Sequence, residues 1–151
     1  KTPFEVGRAE IFWESKSSSS LHSGQSKPDV ALIACGPLVH NALLAAHELE
    51  KNGIAVRVIN NHTVKPMDEK TNLRAAKDAG CLVTAEEHQI SGGMGSAVAE
   101  VIARNFPVPI EFVGVLNRFG ESGEPQELIR HFGMAPEHIA EAARKAISRK
   151  T

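Results

Sequence analysis

Asp29-Val30-Ala31-Leu32-Ile33-Ala34-Cys35-Gly36 is an apolar run of strand length that closes on a Gly-Pro turn at Pro37. A half-buried strand alternates polar and apolar side chains, because successive residues point to opposite faces. A strand apolar throughout is covered on both faces, as in a parallel sheet between helices. Outward from this run the pattern repeats. Residues 41–51 place Leu43, Leu44, His47 and Leu49 at near-helical spacing, and Asn52-Gly53 supplies the stop. Residues 54–59 (IAVRVI) form a second apolar strand, and beyond Lys65-Pro66 the side chain of Asp68 is placed to cap a helix running to Gly80. Residues 81–85 read as a third strand, and Gly92-Gly93-Met94-Gly95 opens a helix through Arg104. Pro107 and Pro109 bracket the entry to a strand over 110–116, and two last helices begin near Pro125 and Pro136, with proline in the first turn.

Strands alternating with helices predict an α/β domain. The right-handed crossover rule narrows this to a three-layer α/β/α fold. Upstream, Ala9-Glu10-Ile11-Phe12-Trp13 supplies one more strand. It is expected at a sheet edge, antiparallel, paired with the strand that follows the next loop. The sheet is thus five-stranded and mostly parallel, with one antiparallel edge strand. Residues 16–28 (KSSSSLHSGQSKP) have linker chemistry. The chain divides into residues 1–28, an edge strand with its Ser-rich loop, and 29–151, the α/β domain proper. No internal repeat is visible.

The 151 residues suit one domain, and 42% hydrophobic with 23% charged residues suits a soluble globular chain. A net charge of -1 gives no electrostatic reason to expect nucleic acid or an anionic membrane as partner. No apolar stretch reaches the roughly 20 residues of a membrane span, and no signal peptide is visible. Because the chain opens on Lys1, we expect a piece of a longer polypeptide. Cys35 and Cys81 sit in strand-like runs at a spacing unsuited to a redox pair or metal site, so both are expected as buried, reduced thiols in a cytoplasmic protein.

Three segments fall past the carboxyl ends of strands, where α/β sheets place their sites. Gly36-Pro37 is a turn with neither the further glycines of a dinucleotide loop nor a Gly-Lys-Ser/Thr sequence. Glu86-Glu87-His88, followed by Gly92, Gly93, Gly95 and Ser96, combines carboxylates and an imidazole with a loop whose N–H groups suit a phosphate. Neighbouring Glu86 and Glu87 point to opposite faces, however, and the glycines serve equally for close approach of backbone. We therefore favour interface or anion contact for Glu86, Glu87, His88, Gly92, Gly93, Gly95 and Ser96, and assign catalysis to none of them. Arg118, opening Phe119-Gly120-Glu121-Ser122-Gly123, joins this group as a candidate contact. The seven histidines form no HxH or HExxH set, and no nucleophile elbow is present.

Taken together, these stretches resemble the C-terminal domain shared by transketolases and their relatives. Phe4-Glu5-Val6-Gly7-Arg8-Ala9, residues 29–36 and 53–60, Thr63-Val64-Lys65-Pro66-Met67-Asp68, residues 83–88, residues 92–96 and Phe119-Gly120-Glu121-Ser122-Gly123 follow the family's order and spacing. The chain looks closest to the C-terminal part of a split, two-subunit transketolase. Deoxyxylulose-phosphate synthases and the beta subunits of 2-oxo acid dehydrogenases share the domain, but His88 after Glu86-Glu87 and the Phe-Gly-Glu-Ser-Gly run favour transketolase. The loop at residues 17–26 is longer than the family's turn there. The resemblance implies a parent enzyme that transfers two-carbon ketol units between phosphosugars. It would use thiamine diphosphate and Mg²⁺ held between pyrophosphate- and pyrimidine-binding domains absent from this sequence. It also implies a homodimer to which this domain adds contacts rather than catalysis, so no cofactor is assigned to the chain. Two rival readings stay open: a self-standing regulatory module for a nucleotide or other anion, and independent catalysis by Glu87 with His88.

Overall fold

The computed structural model describes residues 4–15 and 27–150, so residues 16–26 of the Ser-rich loop lie outside the described residues. Chain order is β1 (Glu10–Glu14), β2 (Val30–Ala34), α1 (Leu38–Lys51), β3 (Val56–Asn60), α2 (Glu69–Ala79), β4 (Leu82–Gln89), α3 (Met94–Asn105), β5 (Ile110–Val115), α4 (Pro125–His131) and α5 (Pro136–Ser148). The five strands form one sheet in the order β1-β3-β2-β4-β5. β1 runs antiparallel to β3, and the remaining neighbours are parallel.

The apolar run of β2 lies at the centre, with every residue buried. Val30, Leu32 and Ala34 face a core built with α1 and α5, while Ala31 and Ile33 face a second core built with α2 and α3. Helices on both sides make the three-layer architecture, and they explain why this strand carries no polar position. Asp68 caps α2, accepting from the Thr71 N–H at 3.0 Å, and Gly80 closes that helix at φ +72°.

Four features depart from the sequence-based expectation. β1 pairs with β3 rather than with β2, because β2 already has a neighbour on each side and the outer edge of β3 was the open one. The pairing carries an irregularity between Ile11 and Trp13. α1 begins at Leu38, a turn earlier than its apolar spacing indicated, because Leu38 and Val39 are themselves buried. β4 continues through its polar end to Gln89, where pairing with Val115 of β5 resumes and the Ile90 N–H donates to the Val115 carbonyl. Cys81 is buried but Cys35 only partly so; both thiols are free.

The edge strand is fastened by charge. Arg57 on β3 is 5% exposed, and its guanidinium donates to Glu14 of β1 and, at 2.7 Å, to Asp78 of α2. Burial alone would disfavour the cation, but hydrogen bonds and opposite charge from Asp78 and Glu14 outweigh it and raise the pKa. Arg57→Ala is expected to lose about 2 kcal/mol or more in urea unfolding, since it strips two carboxylates of their partner. Asp68 also receives the Ala9 N–H at 2.9 Å, tying the segment before β1 to α2. Burial opposes ionisation of its carboxyl, but bonds from Thr71 and Ala9 and the charge of Arg8 hold it below the ordinary 3.8. A depressed folded pKa stabilises above the unfolded value and is lost as pH falls through the folded one. Asp68→Ala should therefore cost about 1 kcal/mol at neutral pH, and this deficit should shrink once wild type is titrated well below pH 3.8.

Candidate functional site

From β2 the chain crosses outward to β3, and from β4 it crosses outward the other way to β5, so the order reverses between β2 and β4. The crevice past the carboxyl ends of those two strands is where open α/β sheets hold ligands. One wall is the turn at Gly36, which takes φ +58°. The other is Glu86 and the N-terminus of α3.

Glu86 is 3% exposed, and its carboxylate accepts the N–H of Met94 at 2.6 Å and that of Gly95 at 2.8 Å. These are two of the donors that the first turn of a helix leaves free, at its positive end. The protein's own carboxylate thus occupies the position where such a helix would hold an anion, and an arriving phosphate would meet negative charge. The glycines make this seat possible. A Cβ at Gly93 would lie 2.3 Å from Glu86 Oε2 and 2.5 Å from the Gln89 carbonyl. At Gly95 it would lie 2.5 Å from Thr84 Oγ1 and 3.0 Å from a ring carbon of Phe112. Ser96 Oγ accepts from the Gly92 N–H at 3.0 Å and donates to the Ile90 carbonyl at 2.6 Å, closing the loop on itself.

Of the residues singled out in sequence, Glu86, Gly92, Gly93, Gly95 and Ser96 thus form one internally bonded unit. Glu87 and His88 lie outside it, both exposed, with His88 Nδ1 2.9 Å from the Gln89 carbonyl. Arg118 belongs to the loop after β5, tethered to β4 through Gln89, whose Nε2 donates to the Arg118 carbonyl at 2.6 Å. Its guanidinium meets Glu121 Oε1 at 2.6 Å and His131 Nε2 at 3.0 Å. His131, then Arg118, hold the Glu121 carboxyl below its usual range against a smaller opposing effect of desolvation. Gln89, Glu121 and His131 were not singled out in sequence. Glu121 stands in the quoted Phe-Gly-Glu-Ser-Gly run, but His131 reaches it from α4, a contact only tertiary structure makes. The Cys35 thiol is pushed up to about 11, by burial and then by the charge of Glu86, which leaves little thiolate at neutral pH. Among the described residues, no group of three or more His, Cys, Asp or Glu is arranged to hold a metal ion. Nor is any helix among them long and apolar enough to cross a membrane.

The fold and this filled switch point define a doubly wound α/β domain whose helix-terminal anion position is satisfied from within. The model of the transketolase C-terminal domain matches residues 21–139, and the chain belongs to that family. It is similar to the 6-deoxy-6-sulfo-D-fructose transketolase subunit SqwH of Clostridium sp. (strain MSTE9), 47% identical over 122 residues that make up 81% of this chain and 38% of that protein. A 1-deoxy-D-xylulose-5-phosphate synthase of Thermomicrobium roseum is 39% identical over 136 residues, covering 89% of this chain and 20% of the synthase. Among solved structures, a split-gene transketolase described as an inactive beta4 tetramer superposes with a TM-score of 0.87 at 37% identity, over 99% of this chain and 45% of that one. This chain therefore spans less than half the length of these relatives.

Glu86→Gln, which swaps one acceptor for an amide N–H₂ against the helix donors, is expected to cost about 1–3 kcal/mol. It should also speed hydrogen exchange at Met94 and Gly95. Gly93→Ala should cost at least as much, whereas Glu87→Gln on the exposed face should stay within about 0.5 kcal/mol of wild type. Equal effects at Glu86 and Glu87 would remove the special standing of Glu86.

Proposed function

We propose that this chain is the non-catalytic C-terminal domain of a transketolase-like thiamine-diphosphate enzyme. The parent moves two-carbon ketol units between phosphosugars in the cytoplasm. The domain contributes homodimer contacts and support for the pyrophosphate- and pyrimidine-binding domains. The Ser-rich loop and edge strand of residues 1–28 form its entry, ahead of the α/β body over 29–151. The observation that carries the non-catalytic reading is Glu86. At the switch point, the N-terminus of α3 already has its Met94 and Gly95 donors taken by a carboxylate.

Thiamine diphosphate and Mg²⁺ do not fit the residues present. The diphosphate would face Glu86, and no suitable cluster of metal ligands stands among the described residues. In the parent, the cofactor supplies the carbanion chemistry from the other domains. The tetramer named for the split-gene relative supports self-association, and Glu87, His88 and Arg118 are exposed for such contacts. A synthase parent is the second reading, supported by the 39% identity to the Thermomicrobium roseum enzyme.

The test is an assay of the chain with thiamine diphosphate, Mg²⁺ and phosphosugar donors and acceptors. We expect no ketol transfer, and a thermal midpoint unmoved by nucleotides or sugar phosphates. Turnover abolished by His88→Ala would overturn the reading in favour of independent catalysis. A ligand that raises stability, by about 2.7 kcal/mol at a hundredfold excess over its Kd, would favour the regulatory module instead.

A further inference from the structure

Leu116 and Phe119, on the loop between β5 and α4, are 64% and 95% exposed. A nearly bare phenylalanine is unremarkable on a loose loop, but this loop is braced. Gln89 holds the Arg118 carbonyl at 2.6 Å, and the Arg118 guanidinium donates to Glu121 at 2.6 Å. That guanidinium also stacks 5.0 Å from the centre of the Phe132 ring. Asn117 sits in the left-handed region at φ +48°, which turns the chain sharply before Phe119. The ring is thus held out in a set position, and a partner need not order it on binding.

Beside it lies a hollow of about 260 Å³, lined by Gln89, Asn117, Arg118 and Phe119. An apolar cavity of about 150 Å³ suffices for benzene, so the hollow has room for an aromatic ring. Knob and hollow therefore share one patch. A two-fold contact requires this, since the same surface must supply both halves of every interaction. The charges agree. Arg118 and Glu121 have side chains 46% and 47% exposed, so each retains capacity for an opposite partner across a two-fold axis. A partner of one charge sign would repel one of the two.

We propose that this patch is a contact between two copies of this chain, with Phe119 of each seated in the hollow of the other. The assignment rests on the homodimer reading above and locates its anchor. Bound aromatic anchors of this kind carry most of an interface's energy.

Sedimentation equilibrium of the chain, with Phe119→Ser and Ile11→Ser as variants, tests it. Ile11 is also exposed, at 48%, but lies on β1 at the opposite edge of the sheet. We expect a wild-type dimer, a Kd about 30-fold or more weaker in Phe119→Ser, and no change in Ile11→Ser. Phe119 makes so little contact within the chain that its variant should match the wild-type thermal midpoint once both are diluted to monomer, which separates lost association from lost folding. A wild-type dimer indifferent to Phe119→Ser overturns the anchor and leaves the homodimer standing. A wild type monomeric at every concentration overturns both. A monomer that binds the remaining domains of its parent in a Phe119-dependent way reassigns the patch to them, and the two-copy contact falls.

Discussion

The carboxylate of Glu86 under the first turn of α3 is the contact around which the carboxyl edge of this domain is organised. A buried charge is stable only when its lone pairs are satisfied, and Glu86 achieves this with the N–H groups of Met94 and Gly95. The helix in turn loses two unpaired donors without water or ligand. Both depend on the backbone lying so close that only glycine fits at positions 93 and 95. Gly114 extends the same crowding to β5, since a Cβ there would lie 2.9 Å from the His88 carbonyl. Two strands and a helix are thereby locked at the place where related architectures leave a crevice for a ligand.

That economy bears on function. A sheet whose switch point is filled from within makes a rigid platform, and what it leaves outside is surface. β1 is added to the sheet through Arg57, which answers Glu14 on the strand and Asp78 on α2 together. At the other edge Glu111 on β5 pairs with Lys145 and Arg149 of α5, fixing the last helix against the last strand. Between these anchored edges, the end of β4 and the braced loop before α4 present polar and aromatic groups outward.

Much of this was legible in the residues. The unbroken apolar run at β2 announced a strand covered on both sides, and Asp68 and Gly80 marked the ends of α2 by the chemistry of their side chains. The polar end of β4 was not legible, because Glu86-Glu87-His88-Gln89 has loop composition and becomes strand only through Val115 of β5. The choice of β3 as the partner of β1 was equally hidden. Pairing depends on which edge remains open once all the strands have assembled.

Layer order, the mostly parallel sheet and family membership are written along the chain. Those follow from local periodicity, turn residues and a set of short motifs in fixed order, all readable along the chain. Three-dimensional packing settled that the Glu86 carboxylate accepts from its own helix, and that Arg118 joins Glu121 and His131 in the loop that holds Phe119 outward. Each of these depends on distances between atoms far apart in the chain, to a few tenths of an ångström. A carboxylate beside a glycine-rich loop reads the same whether it points at a substrate or at its own backbone, and packing chose the backbone.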